Sequence, residues 1–287
     1  MLQDREIVLL DPQQRIGRLD LPPRYRTSEF EGWEHLWPVL PTLRPGAVLL
    51  VDPYDAPGGQ AHRRFWDLLE QFPSLTVVAA IEITPRKIVD TRRMVLAGIS
   101  ETWNLQLSYP PPLAAALLNS ACGRPLKRRL ESTLSRFVSG SARVLLRAAA
   151  EVAVRRGGAN DLAAVFGVSR ATVSAWCEAA ALPPPRRLQL WMRVLLAAQL
   201  LQDTGRTIRD AAAAAGYSTD RSLRRVMNQL LGSDTRTVRG TQPFELAARA
   251  FNEELRALRE HRSRAHAHPA TGVLPMQGGE AQQVCGK

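Results

Sequence analysis

Cysteine is scarce in this sequence of 287 residues: Cys122, Cys177 and Cys285 are its three, and no two stand at C-x-x-C spacing. That excludes a disulfide framework and implies a reducing compartment. Long apolar runs are missing too, with none near the roughly 18 residues that span a bilayer. The opening stretch MLQDREIVLLDP mixes charges rather than building a secretory leader. A cytoplasmic protein without a membrane partner is expected. Neither G-x-G-x-x-G nor G-x-x-x-x-G-K-[ST] occurs, so no nucleotide cradle is read; Gly58 and Gly59 before a helix are weak substitutes. Histidine is rare. His35 and His62 read as surface residues, and His261, His266 and His268 fall in a polar tail, so no catalytic set, metal site or cofactor is expected. With 45% apolar and 23% charged residues, the composition also excludes wholesale disorder and fibrous repeats.

Charge is unevenly placed. Residues 1–120 hold 12 Lys/Arg and 14 Asp/Glu, a net of −2, whereas residues 121–240 hold 20 and 8, a net of +12. Residues 241–287 hold 6 and 5, a net of +1. A basic block made mostly of arginine, joined to a neutral one, suits a polyanion-binding module attached to a second domain.

The first block alternates. The apolar runs at 7–10, 47–51 and 75–81 read as strands buried on both faces, and 99–103 is a further candidate. Between them, 32–43, 60–72 and 86–97 carry helical spacing, the last through Ile88, Val89, Val95 and Leu96. The expected fold is α/β: an open parallel sheet of about five strands with helices on both faces. Asp11 and Asp52 end the first and third strands. This layout resembles the receiver domain of response regulators, which implies Asp52 as a candidate phosphoacceptor. The supporting chemistry is incomplete: Pro12 stands where a second acid is usual, Ala79 and Ala80 where a hydroxyl is usual, and no lysine lies between Lys87 and Lys127. The reading is a degenerate receiver-like domain over 1–121, in which strand-end carboxylates also cap turns.

Pro110–Pro112 punctuate the chain, and 122–140 reads as a basic linker with Arg124, Lys127, Arg128 and Arg129. From 141 to 240 an all-α domain is expected. Ala163-x-x-x-Gly167-Val168-Ser169 recurs 49 residues later as Ala212-x-x-x-Gly216-Tyr217-Ser218. A small residue lets two helices cross closely, glycine permits positive φ in the turn, and serine caps the next helix. Two helix-turn-helix units follow, joined by a long helix over 186–201. In the second recognition helix (219–231), Leu223, Val226, Met227 and Leu230 make an apolar stripe. Arg221, Arg224, Arg225 and Asn228 make a polar stripe at the same spacing. Forked donors in such a stripe suit guanine edges and phosphates in a major groove.

These residues, with Trp176, Trp191, Arg193, Thr207, Gly232 and Arg239, resemble the two-unit DNA-binding domain of the AraC/XylS family of transcription regulators. The resemblance implies double-stranded DNA as partner, entered through two recognition helices in successive major grooves, with RNA polymerase and a second copy of the chain as further partners. It departs at Thr235, where proline is usual, and at Met227, where phenylalanine is usual. In the first recognition helix the base-facing positions carry Ala171, Ser174 and Ala175, so that unit is expected mainly to position the protein, through Arg170 and Thr172. A docking helix over 241–261 and a disordered tail over 262–287 complete the expectation. Two other functions compete with this one: a phosphorylation-dependent response regulator, and a protein-interaction module that does not bind DNA.

Overall fold

The computed structural model describes residues 5–16, 25–54, 59–232 and 242–267. The apolar runs form β1 (Arg5–Leu10), β3 (Val48–Val51), β4 (Thr76–Ile81) and β5 (Glu101–Asn104). A strand that the sequence reading did not name, β2 (Tyr25–Phe30, YRTSEF), lies at the edge beside β1. Only its Tyr25 is buried, so it carries neither an apolar run nor an alternating pattern. All four pairings are parallel, in the order β2-β1-β3-β4-β5 of a doubly wound sheet. The register pairs Leu10 with Val51, which brings Asp11 and Asp52 to one carboxyl edge.

One sheet face presents Val8, Leu10, Leu49, Val51, Val77, Ala79 and Ile81 to three helices. The first, α1 (Trp33–Leu36), continues as a 3₁₀ turn over Trp37–Thr42 because Pro38 and Pro41 supply no amide donor. The second, α2 (Arg63–Gln71), is capped by His62, whose Nδ1 accepts from the Arg64 amide at 3.0 Å while its ring stacks on Trp33. Thus His62 is a cap, not an idle surface residue. The third, α3 (Ile88–Ala97), ends at Gly98 with φ +119°. Its buried contact is Met94, and the predicted inner stripe of Ile88, Val89, Val95 and Leu96 is exposed instead. Spacing shows that four apolar residues share a side but not which side meets the sheet.

The other face, with Ile7, Leu9, Leu50, Val78 and Trp103, meets α4 (Pro111–Ala121) and merges without a break into the core of the helical half. The stretch expected as a linker holds α5 (Arg124–Thr133), with Leu126 and Leu130 buried in that shared core. Then come α6 (Gly140–Val154), α7 (Ala159–Val165), α8 (Arg170–Ala179), α9 (Pro185–Leu200), α10 (Ile208–Ala214), α11 (Asp220–Leu231) and α12 (Pro243–Ala267). Because α9 is apolar nearly all round, it lies at the centre, and even its Gln189 and Gln199 are buried. Residues 262–267, expected as tail, extend α12; residues 268–287 lie outside the described residues. Along α12 the buried positions include Phe244, Ala247, Ala248, Phe251 and Leu255; of the apolar residues whose helical spacing suggests this helix (Leu246, Ala250, Phe251 and Leu258), Phe251 is buried and the other three are half-buried beside it. No helix among the described residues is long and apolar enough to cross a membrane.

Beyond α9 the chain turns through a buried ion pair. Asp203 and Arg206, 2% and 1% exposed, meet at 3.0 Å. Each also reaches the α/β half: Asp203 accepts from the amide (3.1 Å) and the hydroxyl of Ser74, and Arg206 Nη1 donates to the Leu43 carbonyl at 3.1 Å. Gln199 Nε2 donates to the Pro73 carbonyl at 3.2 Å, and the Thr204 amide to that of Gln71 at 2.9 Å. Burial pushes the Asp203 carboxyl up, against the pull of Arg206 and Ser74. Removing one member of a buried pair strands its partner. Asp203→Ala is therefore expected to lower unfolding stability by about 3–5 kcal/mol in urea melts; a loss below about 1 kcal/mol would show that the pair does not hold the halves together.

Candidate nucleic-acid interface

The repeated motif does in space what its spacing requires. Ala163 and Ala212 are buried, and Gly167 and Gly216 have φ of +64° and +81°. Ser169 caps α8, its Oγ accepting from the Thr172 amide at 3.1 Å. In the second unit the cap is Thr219, one residue later than the expected Ser218, and its Oγ1 accepts from the Ser222 amide at 3.1 Å. Upstream, Thr207 and Asp210 form a reciprocal capping box on α10, and the Thr207 hydroxyl holds the Asp210 carboxyl below the usual carboxylate range.

On α11, Leu223 and Met227 are buried, with Val226 and Leu230 half-buried beside them. The opposite side shows Arg221, Arg225 and Asn228 to solvent. Arg224 is half-buried and leans on Asp220 at 3.5 Å, so it is the least free of the four predicted residues. On α8, Arg170 and Ser174 are exposed. Thr172 is half-buried, with its hydroxyl 2.8 Å from Ser169 Oγ within the cap. Arg209, on the exposed side of α10, was not singled out in the sequence; its signal was its place in the first helix of the second unit. Among the described residues, Arg170, Arg209, Arg221 and Arg225 have no carboxylate within ion-pair distance.

Several other arginines of the helical half are structural. Arg156 donates to the Ala214 carbonyl at 3.4 Å and Arg193 to that of Gly157 at 2.9 Å, tying α6 and α9 to the two units. Arg187 forks onto Glu254 at 2.6 Å through both donors, and Trp191 Nε1 reaches the same carboxylate at 2.9 Å. Arg262 donates to the Glu178 and Ala179 carbonyls, closing the last turn of α8 from α12. Gly232 ends α11 with φ +65°, and Thr235 and Arg239 lie outside the described residues. Cys177 is buried, and burial pushes its thiol up to about 11, as a core cysteine requires.

At the carboxyl edge of the sheet, Asp52 is 1% exposed. Arg15 grips both of its oxygens, with Nε–Oδ2 at 2.6 Å, and the Tyr54 amide adds a third donor at 3.0 Å. Asp11 accepts from the amides of Arg15 (2.9 Å) and Ile16 (2.7 Å). Lys87 Nζ sits 4.2 Å above the Tyr54 ring and 3.8 Å from Glu82. Burial raises the Asp52 carboxyl, with Arg15 pulling against it, and drives the Tyr54 phenol up to about 12. No group of three or more His, Cys, Asp or Glu side chains among the described residues could hold a metal ion. Gly58, His268 and Cys285 fall outside the described residues.

Residues 162–241 match a protein family described as a helix-turn-helix domain, a span that runs from within α7 through α11. The match supports an AraC-type helix-turn-helix domain here and, with it, a DNA-binding transcription regulator in general. No curated protein matches the chain, and no solved structure does. For Asp52 the geometry gives a direct expectation: incubation with a small phosphodonor and Mg²⁺ leaves the intact mass unchanged, and a phosphoryl adduct mapped to Asp52 would overturn its role as an internal ion-pair member.

Proposed function

We propose that the chain regulates transcription by sequence-specific binding to duplex DNA, with the second helix-turn-helix unit reading bases and the first fixing position. The observation that carries this is the solvent-facing stripe of α11, where Arg221, Arg225 and Asn228 stand exposed within a matched helix-turn-helix span. Two guanidiniums and an amide at helical spacing offer bidentate donors to guanine and adenine edges. Arg224, held by Asp220, supports that stripe and reaches a phosphate or base when the ion pair opens. Arg170 at the start of α8 and Arg209 on α10 are suited to phosphate contacts, since the first helix of such a unit crosses the backbone. Ser174 contributes a single hydroxyl between Ala171 and Ala175, and Thr172 acts through the cap, so α8 reads little sequence. The two units are held by α9, and their entry into successive major grooves is part of this proposal.

Under this reading the α/β half is an input or docking domain rather than a phosphorelay, because Arg15 already supplies the charge that Asp52 would need from a metal or phosphoryl partner. Selection from a random duplex library, followed by titrations at several salt concentrations, tests the assignment. Arg221→Ala and Arg225→Ala are expected to cost ~1–3 kcal/mol each at the preferred site and to relax specificity there. Arg170→Ala and Arg209→Ala are expected to weaken all sequences alike and to reduce the salt slope by about 1. Binding that is indifferent to all four substitutions would exclude this face.

A further inference from the structure

A cleft of about 660 Å³ lies where α3 and the start of β5 face α5 and α6. It therefore sits between the α/β half and the helical half, and its size is one that small ligands fill. The lining combines two chemistries. Val95 supplies exposed apolar surface above the buried Ile99, while Arg124, Lys127, Arg128 and Arg147 bring four cations against the carboxylates of Glu101 and Glu131.

Three of those cations are already paired: Arg124 with Glu101 at 2.8 Å, Lys127 with Glu151 at 3.6 Å, and Arg147 with Glu131. Arg128 is not. Its Nη2 donates to the Gly98 carbonyl at 2.9 Å and its Nη1 to that of Ile99 at 3.5 Å, and no carboxylate among the described residues balances it. Arg128 is exposed at the cleft, with Arg129 as its neighbour in sequence. Ser100, on the same wall, is more than nine-tenths buried, and its hydroxyl has no hydrogen-bond partner among the described residues. An extended peptide added to the β5 edge is disfavoured, because the outward amides there are taken: Thr102 donates to Glu101 Oε1 at 3.1 Å and Asn104 to the Tyr109 hydroxyl at 3.0 Å.

We infer that this cleft binds a small organic anion, its phosphate or carboxylate head on Arg128 and its apolar body against Val95 and Ile99. Such a ligand touches both halves at once and stabilises their docked arrangement by mass action. The site is separate from the α11 stripe, so it stands whether or not the DNA reading does.

Calorimetric titration of the full chain with phenyl phosphate and with benzoate, using phenol as the uncharged control, tests it, and the two anions distinguish the head groups. The expected result is saturable binding at one site for at least one anion, none for phenol, and a raised melting temperature with the bound anion. Arg128→Gln and Val95→Asp should each weaken that binding tenfold or more, while Arg221→Ala leaves it unchanged. Val95 is exposed, so its variant reports on the cleft even if Arg128→Gln fails to fold. The inference is overturned if neither anion saturates, if binding persists in both cleft variants, or if duplex DNA displaces the anion from Arg221→Ala protein, which would give the cleft to nucleic acid.

Discussion

The buried pairing of Asp203 with Arg206 is the polar contact that registers the two halves on their shared apolar core. Both side chains are withdrawn from water, which is unfavourable unless every charge finds hydrogen-bonding partners. Those partners come from the far side of the junction: Ser74 for Asp203 and the Leu43 carbonyl for Arg206. Separating the halves would leave the pair without them, so the turn that leads from α9 into the second helix-turn-helix unit is registered directly on the loops preceding β3 and β4. Gly205, with φ +77°, completes the fit: a Cβ there would come within 3.4 Å of Pro41.

Arginine serves two purposes in the helical half, and hydrogen-bonding partners separate them. Arg156, Arg187, Arg193, Arg206 and Arg262 direct their donors to carbonyls or carboxylates, closing helix ends and fixing α9 and α12 against the units they support. Arg170, Arg209, Arg221 and Arg225 are exposed on α8, α10 and α11. The first group sets the angle at which the second is presented. Both groups add to the positive field of the helical half, but only the second has no carboxylate within ion-pair distance among the described residues.

At the carboxyl edge of the sheet the same residue type changes the chemistry. A guanidinium on Asp52 supplies internally the counter-charge that a bound cation would otherwise bring, and it closes access to the carboxylate. Lys87, against Tyr54 and Glu82, completes a set of neutralised charges. The loops at the amino-terminal edge of the sheet meet the helical half, and α3 keeps Ile88, Val89, Val95 and Leu96 in solvent.

The sequence by itself determined the local elements. Four of the five strands, the two turns with positive φ, the cap Ser169 and the polar stripe of α11 were all legible, because periodicity, glycine and capping chemistry act over a few residues. It could not reveal β2, whose pairing depends on a neighbour and not on its own pattern, or the outward turn of α3, since an apolar stripe has no sign until it meets a partner. The stretch around Arg124–Thr133 looked like a linker because its charges are frequent, yet Leu126 and Leu130 at helical spacing anchor it in the shared core. Only the tertiary structure decided which arginines are free, because a guanidinium's role is set by what lies within about 3 Å of it, and those partners are up to 163 residues away, as Leu43 is from Arg206.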